Sequence, residues 1–181
     1  MTRPALFLDR DGVVNVDIDF LHRIEDARFI DGIFALTADF AARGYIIVIA
    51  TNQSGIGRGL YTEADFARLM AWMRAEFARQ GGRIDAIYFA PTHPTEGVGD
   101  YKRVSDWRKP GPGMFRAAAR DLVLDPARSV AVGHHATDIE AARAAGIESL
   151  FLFDGKAGAA RRDGDHWVVP ALADVSKLTP R

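Results

Sequence analysis

The sequence predicts an α/β protein built on a doubly wound parallel sheet with helices on both faces, and three observations lead there. Its apolar runs are short and continuous, they alternate with stretches of helical periodicity, and polar residues gather where the runs end. Continuous apolar runs suit strands covered on both faces. Alternating such strands with helices yields parallel neighbours joined by right-handed crossovers.

The first run is Ala5-Leu6-Phe7-Leu8, which ends at Asp9. Asp31 is expected to cap a helix whose Ile33, Leu36 and Phe40 share one face before Gly44 stops it. A second strand is read at residues 45–50. Thr62 and Asp65 resemble a capping box opening a stripe of Phe66, Leu69, Met70, Met73 and Phe77, an ordinary core face. After a third strand at 84–89, Pro112 suits the first turn of a helix carrying Phe115, Ala118 and Leu122. A fourth strand at 129–132 precedes a second capping box, Thr137 with Glu140, whose helix closes at Gly146. The fifth strand is read at 149–153. Residues 155–164, rich in Gly, Ala and Arg, read as a mobile loop before a last short strand at 167–169. No repeat, linker or low-complexity tract divides the chain, so one domain over residues 1–181 is expected.

Composition narrows the function. The 181 residues are 48% apolar and 26% charged, the make-up of a globular chain that buries roughly 70% of its unfolded surface. The absence of cysteine excludes thiolate zinc sites, thiol nucleophiles and a disulfide framework, and makes the cytoplasm the default location. With 23 basic and 24 acidic side chains, the net charge of -1 gives no pull toward nucleic acid or membrane. No apolar run approaches the ~20 residues of a membrane span. The expected partner is a small molecule, and the chain is taken as a monomer.

In such sheets ligands bind beyond the carboxyl ends of the strands. There lie Asp9 and Asp11 after strand one, Thr51-Asn52-Gln53-Ser54 after strand two, and His134, His135 and Asp138 after strand four, with Lys109 in the loop before it. Two long connections, residues 14–29 and 91–110, are candidate lids or substrate loops. One carboxylate of Asp9-Arg10-Asp11-Gly12 can attack a phosphoryl group, and the second can protonate the leaving oxygen and then deprotonate water. A divalent cation would neutralise the phosphate, and hard oxygen ligands favour magnesium. Thr51 and Lys109 could hold the equatorial oxygens. Taken alone, Asp-x-Asp is often a solvated turn; the carboxylate pair, the strand-end threonine, the loop lysine followed by proline and the Gly/Asp turn, all gathered at carboxyl ends, point instead to a site.

Asp9-Arg10-Asp11-Gly12-Val13-Val14-Asn15, the stretch from Thr51-Asn52-Gln53-Ser54-Gly55 to Gly59, and Arg108-Lys109-Pro110 resemble the motifs of haloacid dehalogenase-superfamily phosphatases. Within them the sequence most resembles the heptose 1,7-bisphosphate phosphatases and the neighbouring histidinol-phosphate phosphatases. The resemblance implies a phosphatase with little or no cap, acting on a phosphorylated sugar in a pathway feeding surface polysaccharide. It makes Asp9 the nucleophile, Asp11 the general acid and base, and Thr51 and Lys109 phosphate binders. It also implies substrate contacts from Asp17, Ile18, Asp19 and Phe20, from Thr51, Asn52, Gln53 and Ser54, and from Arg108, with metal held by Asp9, Asp11, His134 and Asp138.

Two departures stand out. Family members commonly carry a zinc loop, but the matching positions here are Ala90, Thr92, Ser105 and Trp107, and His93 alone cannot make a structural site, so no structural zinc is expected. The loop is expected to be held by packing through Trp107 and Tyr101. The pattern after the fourth strand, Val-Gly-Asp-Lys, reads Val132-Gly133-His134-His135. Imidazole prefers manganese, zinc or other transition ions to magnesium. Open readings are an enzyme with altered metal preference, a weak phosphatase, and a phosphate-sugar binder without turnover. Histidinol phosphate stays the alternative substrate. A phospho-accepting receiver domain fits poorly, because its acceptor ends a middle strand.

Overall fold

In the two central strands, alternate side chains feed two different cores, which explains their unbroken apolar runs. The computed structural model describes residues 2–180. In it, Leu6 and Leu8 of β1 (Ala5–Leu8) join Ile47 and Ile49 of β2 (Ile46–Asn52) in one core, while Ala5, Phe7, Ile46 and Val48 join the other. With β3 (Ala86–Ala90), β4 (Val130–Gly133), β5 (Ser149–Phe153), β6 (Arg161–Asp163) and β7 (His166–Val169), they form one sheet in the order β3-β2-β1-β4-β5-β7-β6. All pairings are parallel except β6 with β7.

One face is covered by α1 (Ile33–Ala42), α3 (Glu63–Arg79) and α6 (Leu172–Leu178), through side chains such as Phe40, Met73 and Val175. The other is covered by α4 (Gly113–Asp121) and α5 (Ala136–Ala144), through Met114, Phe115 and Ile139. A single turn, α2 (Ser54–Gly57), follows β2. Among the described residues no helix is long and apolar enough to cross a membrane.

The Thr62–Asp65 capping box forms, with the Asp65 amide donating to Thr62 Oγ1 at 3.1 Å and the Thr62 amide to Asp65 Oδ2 at 3.0 Å. Three local expectations give way. Gly32, in the left-handed region at φ +82°, is the residue before α1, and no side chain caps the helix. Asp31 stands one position too early for that role, since the cap immediately precedes the helix. In the second case α5 starts at Ala136, so Asp138 rather than Glu140 occupies its third position, and the Thr137–Glu140 box does not form. Finally, residues 155–164 contain β6, an exposed, charged edge strand with no apolar pattern to reveal it.

The chain leaves β1 toward β2 on one side and returns with β4 on the other, which opens a crevice beyond their carboxyl ends. The Asp9 amide still donates to the Val132 carbonyl at 3.0 Å, so Asp9 and His134 emerge side by side.

Candidate active site

Asp9 lies on the floor of the crevice, 8% exposed. Its Oδ1 accepts from Lys109 Nζ at 2.9 Å and from the Arg10 amide at 2.8 Å, and its Oδ2 faces His134 Nδ1 at 3.1 Å. Lys109 Nζ also reaches Asp138 Oδ1 at 2.6 Å and donates to the Ala50 carbonyl at 2.9 Å. Burial by itself would raise the Asp9 carboxyl, but the Lys109 ammonium and the hydrogen bond from His134 hold it far below the usual carboxylate range. Burial likewise acts to lower Lys109 and His134, and their carboxylate neighbours more than reverse it, so both sit above their ordinary values. Asp9 is thus a buried, ionised carboxylate held between the Lys109 ammonium and the His134 imidazole.

Asp11 is held differently. The fully buried Arg10 donates to its Oδ1 through Nη2 at 2.9 Å, Asn15 Nδ2 donates to the same oxygen at 3.0 Å, and Gln53 Nε2 donates to Oδ2 at 3.0 Å. Tyr61 fixes that amide by donating to Gln53 Oε1 at 2.6 Å. Burial, acting with the nearby Asp11 charge against that of Arg10, pushes the Tyr61 phenol up to about 12. Arg10, Asn15 and Tyr61 were not singled out from the sequence. Arg10 and Asn15 were at least within a recognised motif, whereas nothing in the sequence marks Tyr61 as a partner of Gln53.

Lys109 is positioned by Asn52, whose Nδ2 donates to the Lys109 carbonyl at 3.1 Å and whose Oδ1 accepts from its amide at 3.0 Å. Thr51 is fully buried below the pocket, where its Oγ1 accepts from Gln53 Nε2 at 2.9 Å. Ser54 and Arg108 line the pocket, as do Asp17, Asp19 and Phe20, whereas Ile18 does not and is 46% exposed. Asp19 and Phe20 take φ of +54° and +57°, the tight turn that brings Phe20 beneath the Arg58 guanidinium, 5.3 Å from the ring centre. Arg58 also pairs with Glu96. Arg108 Nη1 and Arg58 Nε are buried with no partner among the described residues. Burial, and then the charge of Arg58, lowers Arg108 from its ordinary value. Arg108 thus brings to the pocket lining a guanidinium nitrogen without a partner among the described residues.

Side-chain contacts tie down the loop before Lys109. Tyr101 packs on the core and donates to Glu63 Oε1 at 2.8 Å, and His93 Nδ1 accepts from the Glu96 amide at 3.0 Å. Trp107 contributes a looser contact, its ring 6.1 Å from that of Tyr88.

Residues 106–175 match the HAD-hydrolase-like family. The D-glycero-alpha-D-manno-heptose-1,7-bisphosphate 7-phosphatase of Burkholderia mallei is 49% identical over 152 residues, 84% of this chain and 80% of its own. The chain belongs to the heptose-bisphosphate phosphatase family of HAD-like hydrolases. The corresponding beta enzyme of Yersinia pestis is 42% identical over 176 residues, 96% of this chain and 94% of its own. The solved D,D-heptose 1,7-bisphosphate phosphatase from B. bronchiseptica, complexed with magnesium and phosphate, has a TM-score of 0.81 at 32% identity over 96% of both chains. Members of this family are phosphomonoester hydrolases.

The magnesium of that relative sets a test for this member's donor set. Asp9, His134 and Asp138 bring ligand atoms within 4.8 Å of one another, and Asp11 is not among them. Asp138 is already engaged, Oδ1 by Lys109 and Oδ2 by the amides of His134 and His135 at 3.0 and 2.9 Å. The His134 ring lies so close to Gly12 that a Cβ there would meet it at 2.4 Å. The imidazole therefore fills the space beside the Asp9–Asp11 turn. Magnesium takes octahedral oxygen ligands, and these residues do not fit that shell.

Proposed function

We propose that this chain hydrolyses the 7-phosphate of a D-glycero-D-manno-heptose 1,7-bisphosphate through an aspartyl-phosphate on Asp9. The observation that carries the reading is the buried Asp9–Lys109 pair, 2.9 Å apart on the pocket floor, with Asp11 separately oriented two residues on.

In the first half-reaction an Asp9 oxygen bonds to phosphorus, the bond from phosphorus to the sugar oxygen breaks, and Asp11 gives that oxygen a proton. In the second, Asp11 takes a proton from water as the water attacks the phosphorus, freeing inorganic phosphate and restoring the Asp9 carboxylate. The Lys109 ammonium offsets charge on the equatorial oxygens. Thr51 supports this floor through Gln53. Manganese or another transition ion is preferred to magnesium in this reading, because an imidazole stands where magnesium would take an oxygen ligand.

Arg108, Asn52, Ser54 and the segment of Asp17, Asp19 and Phe20 surround the sugar in this reading. A second phosphate answers the unpartnered guanidinium nitrogens of Arg58 and Arg108. The near-neutral charge of -1 supports a small-molecule partner rather than nucleic acid or membrane. A cytoplasmic monomer completes the reading.

A second reading, a phosphate-sugar binder with weak turnover, is favoured by one observation, the His134 ring against Gly12. Specificity constants for heptose bisphosphate and histidinol phosphate, each with magnesium and with manganese, separate the cases. The expected result is at least about a tenfold preference for the bisphosphate, a difference of ~1.4 kcal/mol. Preference for histidinol phosphate would reverse the substrate assignment, and tight binding without turnover would establish the binder.

A further inference from the structure

We propose that His134, His135 and Asp17 form a binding site for a borderline transition ion such as zinc at the mouth of the pocket, distinct from the Asp9–Asp138 floor. The three residues offer ligand atoms all within 4.8 Å of one another.

The two nitrogens of His134 have different surroundings. Nδ1 lies 3.1 Å from Asp9 Oδ2, so its N–H donates to that carboxylate. In the neutral ring this leaves the lone pair on Nε2, which is buried and has no hydrogen-bond partner among the described residues. A buried polar atom without a partner costs about 1–3 kcal/mol, and a bound cation removes that cost. A ligating histidine whose other N–H is held by a carboxylate is also the usual support for a metal-bound imidazole.

The neighbours of Nε2 have matching chemistry. Asp17 Oδ2 is 3.6 Å away, long for a hydrogen bond but close to the roughly 3.4 Å separating two ligands that each stand about 2.1 Å from a tetrahedral ion. The His135 ring centre is 3.7 Å from that of His134, and the planes are inclined by 43°. Asp17 and His135 are exposed, which gives an ion a path in and leaves its fourth position open to the pocket. Two imidazoles and one carboxylate select zinc, cobalt or related ions over magnesium. Both histidines stand where the resemblance leads one to expect aspartate and lysine, so the site belongs to this sequence rather than to the family pattern.

The test needs no turnover. Cobalt(II) is titrated into metal-free protein while the visible absorption is followed, and zinc displacement is then measured by calorimetry. One cobalt per chain with a tetrahedral band is expected, displaced by zinc but not by excess magnesium. Exposed as they are, Asp17→Asn and His135→Ala should leave the fold intact and each weaken cobalt binding about 10–100-fold, while His93→Ala leaves it unchanged. The proposal is overturned if no cobalt binds, if binding survives both Asp17→Asn and His135→Ala, or if magnesium displaces the ion. Any of these results leaves the hydrolytic role of Asp9 untouched, because that role is tested by substrate turnover and by trapping of the phosphorylated carboxylate, not by cobalt binding.

Discussion

His134 Nδ1 stands 3.1 Å from Asp9 Oδ2, while Lys109 Nζ stands 2.9 Å from the other oxygen of the same carboxylate. Asp9 is therefore ionised and oriented before any ligand arrives. Positive charge that a bound ion would contribute beside a nucleophilic carboxylate is here partly supplied by the protein. The arrangement also sets this chain apart from its magnesium-bound relative, because the imidazole fills space next to the Asp9–Asp11 turn.

Replacing that ring should restore magnesium use. His134→Asp is expected to lower the magnesium concentration for half-maximal hydrolysis by at least about tenfold, or ~1.4 kcal/mol. The same change places a further carboxylate beside Asp9 and Asp138, so the metal-free variant should melt below the wild type and recover when magnesium is added. A magnesium titration of activity, paired with thermal melts, checks both. An unchanged requirement would show that the ring does not obstruct the ion.

Lys109 is 4% exposed and faces two carboxylates. Lys109→Met keeps the bulk but leaves Asp9 and Asp138 without their cation, and breaking a buried pair from one side costs about 3–5 kcal/mol. Urea unfolding should show a loss of that order together with loss of hydrolysis. A loss below about 1 kcal/mol would mean that water or His134 compensates for the missing ammonium.

Much of this was legible in the sequence. The five apolar runs became β1 to β5 within two residues, because strands covered on both faces have no polar position to blur them. The Thr62–Asp65 box was equally clear, since both partners lie within one helical turn. Asp9, Asp11 and Asn52 stand out in the sequence because strand ends are where this fold presents polar groups, and Lys109 stands out as the cation of the loop before the fourth strand. Other features depend on distance in space rather than in sequence. Tyr61 meets Gln53 across a turn, Asp138 is taken up by Lys109 and two backbone amides, and Asp17 faces His134 from a loop more than a hundred residues away in sequence. β6 is not legible because its residues Arg161, Arg162 and Asp163 are exposed and charged, with no apolar pattern.

Tyr61 gives a prediction in alkali. Its phenol is raised, chiefly by burial, from 10.0 to about 12. A group whose folded value is raised contributes stability that is full below its ordinary value and is lost as pH climbs through the folded one. The melting temperature of the wild type should thus fall more steeply than that of Tyr61→Phe between pH 10 and 12, so the gap between them narrows. At neutral pH Tyr61→Phe should be the less stable, having lost the hydrogen bond to Gln53, and Asp11-dependent turnover should drop as Gln53 loosens. Parallel melting curves across that window would show that the phenol is not held by the fold.

The central claim is that Asp9 carries the phosphoryl group, and trapping the intermediate tests it most directly. Protein turning over heptose 1,7-bisphosphate is quenched with borohydride, which reduces an acyl phosphate to an alcohol, and the peptide containing residue 9 is read by mass spectrometry. The expected result is homoserine at position 9, absent without substrate and absent in Asp9→Asn, which should release no phosphate. Phosphate release at the wild-type rate with Asp9 unmodified, or from a pure Asp9→Asn preparation, would contradict the account.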